Sequence, residues 1–129
     1  MSAPEFFNPD NIAPPQGAYS HGGWVKAGSD LPYIAGQVGV RPDGSLPPTV
    51  AEQADVAYAN LRAVLESVGL TPANIVKINT YCVAGQPLET IRGARRNALG
   101  DIRPASTFVC VPQLIEPKYL VEIEAVAAR

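Results

Sequence analysis

Apolar residues spaced three and four apart run from Ala54 through Ala57, Leu61, Val64 and Leu65 to Val68, the stripe of an amphipathic helix. Thr49 with Glu52 supplies a capping box at its start, and Gly69 before Leu70 a Schellman-type stop, so the helix is predicted over about 50–68. From Ile75 to Val83 the period shortens to two. Val76, Ile78, Thr80 and Cys82 then share one side of a predicted strand. A second, weaker helix is predicted from Pro87 to Leu99, with Leu88, Ile91, Ala94 or Arg95, and Ala98 or Leu99 inward and Gly100 as its stop. Earlier in the chain, 23–26 and 31–37 flank the glycine-bearing segment Ala27–Asp30 and read as a hairpin, and Pro42-Asp43-Gly44 marks a tight turn.

Two β-branched runs close the sequence, Arg103–Val111 and Leu120–Ala127. Successive strand side chains point to opposite faces, so Glu122 and Glu124 share a face with Leu120 and Val126, while Val121, Ile123, Ala125 and Ala127 form the other. The predicted order is β-β-α-β-α-β-β. It implies one α+β domain spanning 1–129, a mixed sheet with both helices on one face. Phe108 and Cys110, like Leu120 and Val126, are expected on the face opposite Val109 or Ile123. An apolar sheet face left uncovered predicts a homo-oligomer.

Composition narrows the partners. The chain has 129 residues, enough for one core, and its 13 prolines and 11 glycines imply short elements with well-marked ends. A net charge of −2 offers no general attraction for phosphate backbones, so no nucleic-acid partner is expected. No apolar window approaches the length of a membrane span and no basic segment precedes an apolar one at the N-terminus, which predicts a cytoplasmic protein without a membrane partner. Cys82 and Cys110 have no metal or redox spacing and read as small buried hydrophobes. His21, before Gly22-Gly23, is the one histidine, which leaves little material for a Ser-His triad or a histidine metal site. No cofactor is expected.

Four segments in order carry a resemblance: Gly17-Ala18-Tyr19-Ser20, Ile34-Ala35-Gly36-Gln37, Pro104-Ala105-Ser106-Thr107 and Val121-Glu122-Ile123-Glu124-Ala125. Together they resemble the Rid family, also called YjgF or perchloric-acid-soluble proteins. The resemblance implies a chorismate-mutase-like fold, a homotrimer with clefts between neighbouring subunits, and hydrolysis of small imines and enamines, as in 2-iminobutanoate/2-iminopropanoate deaminases. It makes Glu122 the catalytic residue, orienting a water and moving protons, and places Tyr19 and Gly36 in the cleft. Glu124 has no matching role and is expected to be a surface charge.

Ser106 stands where the family's deaminases carry a carboxylate-binding arginine, and Phe108 where they tend to have cysteine; Ala35 replaces the usual serine. Losing a bidentate guanidinium removes charge-assisted hydrogen bonds worth about 1.5–3 kcal/mol each. An altered substrate range is therefore expected. Arg92, on a stripe with Arg96 and at a position where the family often has a cleft asparagine, is the candidate replacement cation, with Arg103 a weaker one. Two other functions compete: a non-catalytic trimer that binds a small metabolite, and an endoribonuclease or translation inhibitor. The negative net charge and the lack of an aromatic stacking motif count against the last.

Overall fold

The computed structural model describes residues 3–129. Its strands are β1 (Glu5–Phe7), β2 (Gly22–Trp24), β3 (Tyr33–Val38), β4 (Ile75–Val83), β5 (Ala105–Val111) and β6 (Val121–Ala127); its helices are α1 (Val50–Ser67) and α2 (Leu88–Leu99). A 3₁₀ turn, Pro72–Asn74, joins α1 to β4.

The helix ends follow from their signals. The Glu52 amide donates to the Thr49 hydroxyl at 3.3 Å, while the Glu52 carboxylate takes the Thr49 hydroxyl and the Arg41 guanidinium. At the far end Gly69 adopts φ +77°, its amide reaches Glu66 O and the Leu70 amide reaches Leu65 O. Those are the two bonds of a Schellman motif.

The main sheet runs β3-β6-β4-β5, with β4 and β5 parallel and the other pairs antiparallel. The expected hairpin does not form. β2 pairs with β1, a strand absent from the sequence reading, and β3 pairs with β6. Gly22 and Gly23 explain the first pairing, because the rings of Phe7 and Phe6 lie where their side chains would be.

Both helices cover one face of this sheet, and Tyr58, Leu61, Leu65, Ile78, Ile91, Val121 and Ile123 are fully buried between. Alternation along β6 is as expected, with 121, 123, 125 and 127 inward. In β4 the register shifts between Ile75 and Lys77, so Ile75 rather than Val76 joins Ile78, Thr80 and Cys82 inside. The phase of β5 is the reverse of the expected one. Ser106, Phe108 and Cys110 align with Ile78, Thr80 and Cys82, and aligned residues of neighbouring strands share a face, so Phe108 lies on the helix side together with Ile123. The open face carries Tyr33, Tyr81, Val109 and Val126 with the two glutamates.

Cys82 is buried, and burial followed by the nearby Cys110 pushes its thiol pKa up. Cys110 is exposed on the edge strand rather than buried. A buried amide, Gln53, fastens α1 to its surroundings: it donates to Pro47 O and Lys118 O and accepts from the Leu120 amide, at 3.0, 3.1 and 2.8 Å.

Candidate active site

Segment 17–20 lies alongside the start of β5 because Ser20 holds it there. Its amide donates to Pro104 O at 3.1 Å and its hydroxyl to Arg103 O at 2.6 Å, beside a parallel bridge to Ala105. Between this segment, α2 and β5 opens a cleft of about 570 Å³ lined by Tyr19, Arg92, Arg95, Ser106 and Phe108, with Tyr58 of α1 beneath. The Tyr19 hydroxyl accepts from the Gln16 amide, and its ring meets His21 edge-on at 5.9 Å. His21 in turn sits 2.8 Å from Ala13 O, a loop-anchoring contact.

Arg92 enters the cleft with its guanidinium 5.6 Å above the Phe108 ring. Its charge is answered by Glu89 at 2.8 Å. The guanidinium at Ser106 belongs instead to Arg95, which donates to the Ser106 hydroxyl at 3.2 Å and to Ala18 O at 2.9 Å. Arg103 turns to Asp101 and Gly17 O. Burial lowers the Arg95 pKa from its ordinary value, an effect the neighbouring Tyr58 opposes, yet an arginine stays charged. Below it, the buried hydroxyls of Tyr58 and Thr80 each lack a partner of hydrogen-bond geometry.

The other two predicted site residues meet on the reverse of the sheet. β3 bulges between Ile34 and Gln37, and Gly36 within the bulge leaves room for the Glu122 carboxylate, which a methyl group there would overlap. Glu122 makes no hydrogen bond or ion pair among the described residues. Glu124 is more than a surface charge, since it accepts from the Tyr81 hydroxyl at 2.5 Å and from the Asn79 amide group at 3.2 Å. That hydrogen bond, then burial, then the charges of Glu124 and Glu122, raise the Tyr81 pKa. Burial raises that of Tyr58, eased by the neighbouring Thr80 hydroxyl and Arg95.

These two shifts make an alkaline prediction. A phenol whose folded pKa is raised holds its proton more tightly when folded, so its stabilising contribution is complete below the ordinary value of about 10 and is lost as pH rises through the folded value. The denaturation midpoint should fall above about pH 10, less steeply in Tyr81→Phe. Of the five tyrosines, two should lag in tyrosinate absorbance until unfolding. Simultaneous titration of all five in the folded protein would contradict this.

The family model described as Endoribonuclease L-PSP matches residues 11–129. The chain belongs to the endoribonuclease L-PSP family. Within it, a "2-iminobutanoate/2-iminopropanoate deaminase" of Dermatophagoides farinae is 30% identical over 119 residues, 89% of each chain. A "RutC family protein" of Aquifex aeolicus is 32% identical over 100 residues, 75% of this chain and 79% of its own. A crystal structure from Yersinia pestis, described as YyfB of the conserved Rid protein family and of unknown function, superposes with a TM-score of 0.87 at 30% identity, covering 99% of this chain and all of its own. The Rid resemblance and the α+β fold expected from the sequence are thereby established. Among the described residues no three of the His, Cys, Asp and Glu side chains group to hold a metal, and no helix is long and apolar enough to cross a membrane.

Sequence reasoning set Arg95 on the inward side of α2 only as an alternative to Ala94 and gave it no role in the site, and it passed over Tyr58. Both stand on apolar helix stripes, where a polar group signals a floor rather than a rim.

Proposed function

We propose that this family member hydrolyses small imines and enamines in clefts formed between subunits of a cytoplasmic homotrimer. One observation carries the reading: Glu122 is packed against Gly36 on the open face of the sheet with its carboxylate oxygens uncommitted. A carboxylate so placed orients water for attack. The water oxygen bonds to the imine carbon while the carboxylate takes a water proton and passes it to nitrogen, giving a carbinolamine; the proton of the new hydroxyl then moves by the same carboxylate to nitrogen as the carbon–nitrogen bond breaks. A carbonyl compound and ammonia leave.

In one protomer the cleft and Glu122 lie on opposite faces of the sheet. The chemistry therefore needs the open face of one copy at the cleft rim of another, and the exposed Tyr33 and Val109 give that face an apolar surface to bury. The mixed-sheet fold and the deaminase relative at 30% identity support this reading. The test measures ammonia release from a panel of small imines alongside the solution mass. Release by a particle of three 13.6 kDa protomers is expected. Ligand-dependent thermal stabilisation without ammonia would identify a non-catalytic binding protein instead.

A further inference from the structure

Glu122 stands among hydrogen-bond donors and receives none of them. On one flank, β4 presents Lys77, Asn79 and Tyr81 to the same face of the sheet. Lys77 turns to the Thr107 hydroxyl of β5 at 2.9 Å, while Asn79 and Tyr81 both donate to Oε2 of Glu124, at 3.2 and 2.5 Å. On the other flank, Gly36 has no side chain and the Gln37 amide group donates to Ala35 O at 3.1 Å. The Tyr81 contact is the informative one. In the β4–β6 register Tyr81 lies directly opposite Glu122, and Asn79 directly opposite Glu124. Opposite side chains are the nearest cross-strand neighbours, and diagonal ones are still within reach of an aromatic. The phenol thus passes over its nearest carboxylate by register and takes the diagonal one. A carboxylate that accepts a phenol proton has less of its charge to spend on water, and hydrogen bonds to charged groups are among the stronger ones in a protein.

We propose that Glu124 is a positioning residue for the hydrolysis: it draws off the Tyr81 phenol and the Asn79 amide group, and so leaves the Glu122 carboxylate free to take a water proton. Without Glu124, the charged acceptor left beside Tyr81 is Glu122 itself. This role rests on the imine-hydrolase reading for its effect on rate, whereas the exchange of hydrogen-bond partners stands apart from that reading.

Glu124→Val removes the acceptor and keeps a β-branched side chain on the strand. In the assembled protein it should lower kcat for ammonia release about tenfold or more, with KM little altered, because the phenol then occupies Glu122. Adding Tyr81→Phe should undo the loss, bringing Glu124→Val/Tyr81→Phe within about twofold of Tyr81→Phe alone. If Glu124 merely braces the strand, the double variant stays as slow as Glu124→Val, and that result overturns the proposal; so does a Glu124→Val rate within about twofold of the unmodified protein. Where Glu124→Val does not assemble, Glu124→Gln keeps the shape of the side chain, and its neutral oxygen should lose the phenol to the charged Glu122, giving the same pattern at smaller amplitude. A crystal structure of the variant reads the exchange directly. The Tyr81 hydroxyl should lie at hydrogen-bond distance from Glu122, and a hydroxyl left facing solvent overturns the proposal whatever the rates. The two readings fail differently: no ammonia from the unmodified protein removes the hydrolase while the crystal still decides the exchange. Ammonia release that Glu122→Gln abolishes and Glu124→Val spares keeps the hydrolase and removes the role of Glu124.

Discussion

Replacing Glu122 with glutamine should lower imine hydrolysis by about 10²- to 10⁴-fold, the usual contribution of a positioned general base. Glutamine keeps the shape that fits against Gly36, so the bulge of β3 and the solution mass should not change. What it loses is the capacity to take a proton from water. The deficit should therefore fall on kcat, with KM little altered, since the glutamine amide fills the same place beside Gly36. Paired measurements of ammonia release and light scattering settle it. Activity within tenfold of the unmodified protein would remove Glu122 from the mechanism, and a loss of assembly would show that its role is structural.

Gln53→Leu should cost about 3 kcal/mol of folding stability and lower the thermal midpoint by roughly 10 °C. The side chain is nearly inaccessible and serves three backbone groups from two separated loops. Leucine fills a similar volume and leaves Pro47 O, Lys118 O and the Leu120 amide without partners, each at a desolvation cost of about 1–3 kcal/mol less whatever water recovers. Gln53→Glu should be no better at neutral pH. It keeps an acceptor for Leu120 but sets a charged oxygen against two carbonyls. Urea denaturation at fixed protein concentration gives the numbers, and a loss below about 1 kcal/mol would mean that the loops re-satisfy themselves.

How much of this was legible in the sequence depends on whether the deciding interaction was local. The ends of α1 are written in Thr49, Glu52 and Gly69, and β6 declares its two faces through strict alternation. The partner of β3 is not written nearby. The glycine-bearing turn at Ala27–Asp30 argued for a local hairpin, whereas the buried face of β6 supplied a better mate far along the chain. β1 is three residues long, too short for alternation to register. β5 was assigned the reverse phase because its orientation comes from parallel pairing with β4, which local periodicity does not encode.

The site followed the same rule. Tyr19, Ser106, Phe108 and Arg92 do line one cleft, and Gly36 and Glu122 do meet. Arg95 was visible as a charge four residues after Ile91 on an otherwise apolar stripe. Its meaning needed the strand beneath it, because only the three-dimensional arrangement brings its guanidinium to the Ser106 hydroxyl.

The split of cleft and carboxylate between the two surfaces of one sheet has a genetic consequence. If each working centre borrows its glutamate from a neighbour, a protomer lacking Glu122 still contributes an intact cleft, and one with a ruined cleft still lends its glutamate. Two inactive alleles expressed together would then complement each other within mixed rings, whereas either alone would leave the cell without activity.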